Sequence, residues 1–290
     1  MKVTFWGVRG SFPVALSHCM RYGGNTPCIG IETDTSTILI DAGTGIRQAG
    51  NDLVERGIDQ IDLLISHTHW DHVQGFPHFA PLYRSGTTIR IHGLNHKDHT
   101  LEQIFAAQQQ PAFSAMTLDQ VEAKLEFIAL EEEQKFSIAA AQVQCHRLNH
   151  PGMACGYRIE HQGVAFSYIS DTDLYGELLL GDDIPASSES EKEEWLERLR
   201  QGTRNLAHRT NLMVCDTFFL PEEYDPGWGH SSPDDALRLG QETQAQRIAL
   251  FHHRPERTDE VLDELFAHYQ SQAPDGIEVL IAKEGLEVTL

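Results

Sequence analysis

The residues whose side chains are best suited to metal binding or catalysis form one short stretch, Ser66-His67-Thr68-His69-Trp70-Asp71-His72. His67 and His69 are two residues apart, so both imidazoles can point to the same side of an extended segment. Asp71 and His72 follow where the chain is expected to turn into a helix, and they can face a second point nearby. Four metal-binding side chains within six residues are typical of a two-metal centre rather than of a single tetrahedral site.

A solvated histidine cluster is the alternative interpretation, since the chain has 16 histidines among 290 residues and loops carry scattered polar side chains. The position of the stretch favours metal binding. It directly follows the mostly apolar run 61–65, whose length and composition predict a buried strand. In α/β proteins the chemistry collects in loops at the carboxyl ends of such strands.

The flanking sequence predicts the elements that position this loop. Strands are predicted over 2–6, 29–33 and 37–40 before it and over 89–92 after it. A helix with Asp98 as its expected N-cap would present Leu101, Ile104 and Phe105 on one face. Consecutive strands followed by strand-loop-helix units fit a mixed sheet with helices outside it.

Strands over 125–130, 142–148, 155–159 and 164–169 are expected to form a second sheet, and further strands follow at 211–215 and 248–251. His150 lies just past one of these strands and Asp171 just past another. Either residue alone is weak evidence, because loop histidines are usually solvated and strand-end aspartates often serve as caps. Together with the first stretch they supply the third nitrogen and the bridging oxygen that a two-metal centre needs.

Asp41 ends the strand 37–40 and begins a glycine-rich turn that matches neither a P-loop nor a dinucleotide-binding fingerprint. Two interpretations stay open: an acceptor for the N–H of a ligand imidazole, and a simple turn aspartate. Phe113 lies in an apolar loop after Pro111, where packing in the core is expected and covering a substrate is the alternative.

A helix start is predicted at Ser232-Pro233-Asp234-Asp235, with serine as N-cap, proline at the first helical position and a carboxylate three residues after the cap. His230 therefore lies beside a helix amino terminus, which is a natural site for anions.

The composition indicates an ordinary globular protein, interpreted as one domain over 1–290. The segment 181–204 differs from the rest, with Asp182-Asp183, Ser187-Ser188 and an acidic helix, and is predicted to be a surface insertion. A solvated helix packed through one stripe is expected there, with a lid or a dimer arm as alternatives.

The balance of 22 basic and 43 acidic residues gives a net charge of −21, which repels polyanions and makes a long nucleic acid an unexpected partner. The five cysteines form no Cys-x-x-Cys pair and are typical of reduced thiols in an intracellular protein. Neither a secretion signal nor a membrane span is evident, so a cytoplasmic location without membrane attachment is expected.

The candidate metal ligands resemble those of the metallo-β-lactamase superfamily. Their order spans nearly the whole chain: His67-x-His69-x-Asp71-His72, then His150, Asp171 and a strand-end histidine at 252. The resemblance implies an α/β fold, the αβ/βα sandwich of two mixed β-sheets flanked by helices. Within the superfamily, two motifs resemble the phosphodiesterase branch, which includes ribonuclease Z and cyclic-nucleotide phosphodiesterases: Asp216-Thr217-Phe218 and Gly229-His230-Ser231-Ser232.

Three amino-terminal motifs are most similar to bacterial and phage members that act on small cyclic phosphates, including anti-Pycsar-type enzymes: Gly7-Val8-Arg9-Gly10-Ser11, Tyr22-Gly23-Gly24-Asn25-Thr26 and Asp41-Ala42-Gly43-Thr44-Gly45. Those relatives are homodimers, so the resemblance implies a homodimer here.

The resemblance also implies a ligand set. One metal would be held by His67, His69 and His150, and a second by Asp71, His72 and His252, with Asp171 bridging the two. The doublet His252-His253 leaves the last ligand ambiguous. We prefer His252, because it ends the strand and because Pro255 then keeps the offset seen in ribonuclease Z.

The expected activity is hydrolysis of a small cyclic phosphate or cyclic nucleotide by two divalent cations, with Zn²⁺ expected first and Mn²⁺ second. Asp71 would orient the attacking water, and His230 would stabilise developing charge or protonate the leaving alkoxide. Three alternatives stay open. They are a ribonuclease Z-like tRNA 3′-processing endonuclease, a thioester or lactam hydrolase, and a metal-stabilised binding domain without turnover.

Overall fold

Short aliphatic runs form the strands of two mixed sheets in the computed structural model, which describes residues 1–181, 184 and 188–290. The first sheet contains, in spatial order, β14 (Glu287–Thr289), β1 (Lys2–Gly7), β2 (Cys28–Glu32), β3 (Thr37–Ile40), β4 (Gln60–Leu64), β5 (Thr88–Leu94) and β6 (Lys124–Leu130). The second contains β13 (Glu278–Ile281), β12 (Arg247–Phe251), β11 (Leu212–Asp216), β10 (Val164–Ile169), β9 (Cys155–His161), β8 (Ala141–Arg147) and β7 (Lys135–Ile138).

Each sheet is antiparallel on one side and parallel on the other. Strands β3 to β6 are parallel in the first sheet, and β10 to β13 are parallel in the second. Parallel neighbours need crossover connections, so helices cover the outer faces. They are α1 (Ile46–Glu55), α2 (Trp70–Val73) and α3 (Leu101–Gln108) on the first sheet, and α4 (Glu189–Ala207), α5 (Pro233–Thr243) and α6 (Asp259–Ser271) on the second.

The core has three layers. Phe5, Tyr157 and Phe251 belong to the cluster that fills the space between the sheets. Separate clusters join the outer faces of the sheets to their helices. Because both faces of the central strands are buried, those strands are nearly continuous aliphatic runs, and the predicted sandwich of two mixed sheets flanked by helices is confirmed.

Two details of the prediction are wrong. Strand β6 pairs with β5 and forms the edge of the first sheet, whereas the sequence pattern assigned it to the second. The N-cap of α3 is Thr100 rather than Asp98, since the Thr100 hydroxyl accepts from the N–H of Gln103 and the Gln103 side chain accepts from the N–H of Thr100. This reciprocal pair satisfies two backbone donors that Asp98, two residues earlier, does not reach.

Helix α4 connects the parallel strands β10 and β11 and packs on the second sheet, with Leu199 and Leu206 buried. The helix thus packs through one stripe, and the surface insertion over 181–204 stays a prediction. Asp182, Asp183 and Ser187, which contributed to the predicted insertion, lie outside the described residues. In the described ranges no helix is long and apolar enough to cross a membrane.

Candidate metal centre

The loops that contain the candidate metal ligands meet at one edge of the sandwich. In the first sheet Asp41 follows β3 and His67 follows β4, while in the second sheet Asp171 follows β10 and His252 follows β12. His67 and His69 lie on the extended segment before α2, and Asp71 and His72 lie in its first turn. The change from extended to helical backbone is what directs the two pairs to neighbouring points, as the spacing predicts.

In the described part of the chain, three groups of side chains lie close enough to hold a metal ion, and two of them match the predicted ligand set; the third is Asp171, Asp216, His230 and His252, which shares two residues with the second. His67, His69 and His150 form the first, and the ligand atoms of this group lie within 4.8 Å of one another. Asp71, His72, Asp171 and His252 form the second within the same limit.

Asp171 lies between the two groups. Its Oδ2 is 3.6 Å from Nε2 of His67 in the first group and 3.3 Å from Nε2 of His72 in the second. Its Oδ1 is 3.5 Å from Nε2 of His252. These distances give Asp171 the position that a bridging carboxylate requires.

The imidazoles of His72 and His150 are oriented by hydrogen bonds from Nδ1, the ring nitrogen opposite Nε2, to oxygen acceptors of the protein. Nδ1 of His72 is 2.8 Å from Oδ2 of Asp41, and Nδ1 of His150 is 2.7 Å from the carbonyl oxygen of Gly229. Hydrogen bonds of this kind fix the ring orientation and leave Nε2 free to face a metal. Of the two interpretations of Asp41, the geometry supports the acceptor for a ligand imidazole.

The donor set fits divalent cations. Nε2 of His67, Nε2 of His72 and Oδ1 of Asp171 are buried and have no hydrogen-bond partner among the described residues. Buried polar atoms are nearly always partnered, so unpartnered atoms that converge on one space indicate an ion as their partner. Nitrogen and carboxylate oxygen ligands suit Zn²⁺, and the oxygen-richer second group also suits Mn²⁺.

Burial and neighbouring carboxylates shift the pKa values of the candidate ligand histidines in different directions. Burial lowers the pKa of His150 to about 4 and takes that of His67 well below its usual range, so both are neutral ligands at neutral pH. For His252 burial acts to lower the pKa, but Asp171, Asp216 and Asp71 outweigh it and raise the pKa to about 10. A proton and a metal cation therefore compete for the negative field around this side chain.

His252, rather than His253, faces the second group. Nε2 of His252 is 3.1 Å from Oδ2 of Asp71, whereas Nε2 of His253 is 2.8 Å from the carbonyl oxygen of Ala282. His252 has a φ of 63°, a left-handed conformation that non-glycine residues rarely adopt and that is found at functional sites. This backbone turn sends consecutive side chains to different surroundings.

His230 lies beside the second group, next to the start of α5. Its Nδ1 is 2.9 Å from Oδ2 of Asp216 and 4.0 Å from Oδ2 of Asp171, and its ring stacks on Phe218. The predicted helix start is confirmed: the Ser232 hydroxyl accepts from the N–H of Asp235, with Pro233 as the first helical residue.

Asp216 is a functional candidate to which the sequence analysis assigned no role. Its second oxygen, Oδ1, is 3.4 Å from Nδ1 of His252, so one buried carboxylate contacts two imidazoles of the site. Although burial acts to raise its pKa, His230 and His252 lower it on balance, and the group is ionised at neutral pH. Its position at the end of β11, equivalent to that of Asp171 after β10, was the available signal.

An amino-terminal loop completes the site. The N–H of Ser11 donates to Oδ2 of Asp71 over 2.8 Å, and a Cβ at Gly10 would lie 2.8 Å from the His252 ring. Behind this loop the fully buried Arg9 donates to the carbonyl oxygens of Gly23 and Arg257. The loop therefore approaches two candidate ligands, Asp71 and His252, and at position 10 only glycine allows this distance.

A family model and several solved structures are similar to this chain. The sequence model of a family described as "Beta-lactamase superfamily domain" matches residues 36–187. Among curated proteins no sequence matches the chain.

Solved structures show the same fold along the whole chain. The metallo-beta-lactamase fold protein YhfI from Bacillus subtilis has 18% identity and a TM-score of 0.68, covering 99% of this chain and 98% of its own. A diphosphatase from the PhnP family has 15% identity and a TM-score of 0.66, covering 100% and 97%. Human tRNase Z, short form, has 18% identity and a TM-score of 0.64, covering 100% and 99%.

Proposed function

Since this chain belongs to the metallo-β-lactamase superfamily, we propose that it is a metal-dependent phosphodiesterase that hydrolyses a small cyclic phosphate or cyclic nucleotide. His67, His69 and His150 would hold one divalent cation. Asp71, His72 and His252 would hold the other, with Asp171 between them. When bound, such a pair supplies Lewis acidity that activates water and neutralises the charge of a phosphate.

One observation carries the phosphodiester assignment: beside the pair stands the imidazole of His230, which the predicted ligand set does not use. His230 is oriented by Asp216 and lies next to the amino terminus of α5. A helix amino terminus favours anions, and a histidine there is suited to protonating an alkoxide as the P–O bond breaks. A thioester or lactam hydrolase would leave this histidine without a role.

Asp71, Asp216 and His230 would orient the attacking water and transfer the proton. Asp71 accepts from the N–H of Ser11, which fixes its carboxylate where it can orient the attacking water. Asp216 keeps Nδ1 of His230 on its carboxylate, so that Nε2 is the atom left for proton transfer to the leaving oxygen.

A small substrate fits the charge of the protein better than a nucleic acid does. The net charge of −21 opposes binding of a long polyanion, which disfavours a tRNA substrate. A small anionic ester needs only local positive charge, and two divalent cations provide it. A homodimer, implied by the resemblance, stays a prediction that sedimentation velocity would check.

The test is metal removal and reloading. Protein stripped with a chelator should not hydrolyse bis(p-nitrophenyl) phosphate, and adding Zn²⁺ or Mn²⁺ should restore hydrolysis and raise the melting temperature. A rise in melting temperature without hydrolysis would indicate a binding domain. Hydrolysis of a thioester or lactam in place of the diester would contradict the proposal. A panel of cyclic mononucleotides, cyclic dinucleotides and a precursor tRNA would then identify the substrate class.

A further inference from the structure

An apolar groove of about 480 Å³ opens beside the metal-binding loop. Its lining includes Thr68 and Trp70, which alternate in the sequence with the ligand candidates His67, His69 and Asp71. Both residues belong to the loop that would hold the two metals, so the groove borders that loop. Its volume falls in the range of about 300–1,000 Å³ typical of small-molecule sites.

Two large aromatic side chains of the groove are exposed. Trp70, the first residue of α2, is 60% exposed, and Phe113, in the loop after α3, is 81% exposed. The expectation that Phe113 packs in the core is wrong. Exposed rings that line a concave surface gain free energy when a flat apolar group covers them, and they offer faces for stacking.

The chemistry of the groove suits an uncharged ring. Phe105, Ile104 and Val73 complete its apolar lining, and none of its described residues carries a carboxylate. This is notable in a chain with 43 acidic residues.

We propose that this groove binds a planar aromatic substituent of the phosphoester, stacked against Trp70 and Phe113, while the phosphate lies at the metals. The inference rests on the proposed phosphodiesterase function and narrows it to aryl or nucleobase-bearing esters. Trp70 and Phe113 are thus specificity-determining residues.

The test compares two phosphonates that differ only by a ring. Calorimetry on the metal-loaded protein should give a Kd for phenylphosphonate about 10-fold lower than that for methylphosphonate, as stacking on an aromatic side chain provides. Phe113→Ala and Trp70→Ala should reduce this ratio to near one, and Trp70→Phe should keep it. Because a disturbed metal site weakens both phosphonates equally, the ratio reports the groove alone.

The control is Trp195→Ala, which removes a tryptophan from α4 on the second sheet and should leave the ratio unchanged. An equal Kd for the two phosphonates, no binding of either, or the same ratio in Phe113→Ala as in the wild type would overturn the inference. So would a wild-type dimer that Phe113→Ala converts to a monomer, because the groove would then be an interface. Phosphonate binding with the expected ratio but no diester hydrolysis would instead reject the proposed function.

Discussion

Asp216 contacts both His230 and His252, so one carboxylate orients a proton-transfer candidate and a ligand candidate together. The arrangement resembles that of Asp41, which holds His72 from behind and also accepts from the Tyr168 hydroxyl and the Ser66 N–H. In both places a buried carboxylate lies one layer outside the metal-binding atoms. Substitutions at the two layers should therefore have distinguishable effects.

At the residue scale, we expect His230→Ala to lower kcat about 10²-fold, the usual contribution of general acid–base catalysis, without loss of bound metal. Asp216→Asn should lower kcat and also weaken metal binding, because it removes the negative charge beside His230 and His252. Steady-state kinetics combined with metal analysis would check both variants, with the exposed His268→Ala as a control. Unchanged turnover in His230→Ala would remove this residue from the mechanism.

The first motif and the strand ends could be predicted at this scale because each signal is local. The choice of His252 over His253 needed the structure, since the φ of 63° that separates the two rings has no signature in the sequence. The role of Asp216 also needed it, because the carboxylate acts through residues 14 and 36 positions away.

At the element scale, β4 and β5 are joined by a buried polar cluster as well as by their backbone ladder. Asp62 on β4 accepts from the Arg90 guanidinium over 2.9 Å and lies 2.9 Å from Nε2 of His92, and both partners are on β5. Burial acts to raise the pKa of Asp62, but His92 and Arg90 lower it on balance. A group with a lowered pKa stabilises the folded state above its unfolded pKa of about 4, and the stabilisation is lost as the pH falls through the folded value.

Asp62→Asn should therefore destabilise the protein by about 2 kcal/mol at pH 7, the usual contribution of hydrogen bonds to a charged group. The difference from wild type should shrink as the pH falls below about 4. Urea unfolding at several pH values would measure it. The exposed Asp59→Asn should change stability by less than about 0.5 kcal/mol at any pH. If Asp62→Asn lowers the free energy of unfolding by the same amount at every pH, packing rather than charge is responsible for the loss.

Elements were predicted well where one chain segment contains the whole signal. The start of α5 is an example, since the cap, the proline and the carboxylate lie within four residues. The sheet to which β6 belongs could not be predicted in this way, because an amphipathic strand is compatible with either edge and only tertiary packing chooses. Phe113 illustrates the same limit, since hydrophobicity alone does not separate a core residue from a ligand-facing one.

For the molecule as a whole, the burial of all five cysteines is a measure of how tightly the chain is packed. Cys28, Cys145, Cys155 and Cys215 lie on strands, Cys19 lies in the amino-terminal loop, and all are free and buried. Burial raises the pKa of Cys145 to about 11 and that of Cys28, Cys155 and Cys215 well above the usual range. Thiols of this kind are inert until the surrounding structure opens.

We expect the native protein to show no fast-reacting thiol toward Ellman's reagent at pH 8, and the protein in guanidinium chloride to show five. The slow labelling rate in the native state should follow unfolding and should fall further when metal is added. A thiol that reacts within the mixing time would mean that part of the sandwich, or the amino-terminal loop that holds Cys19, is open in solution.

The candidate metal centre takes His67, His69, Asp71 and His72 from the first half of the chain and His150, Asp171 and His252 from the second. Neither half holds a complete coordination sphere, so the centre assembles only after the two sheets have docked. We expect a nascent or half-folded chain to bind metal weakly, because it offers only part of the candidate ligands, so tight metal binding would show that folding is complete. Any catalytic activity switches on in the same event that completes the tertiary structure.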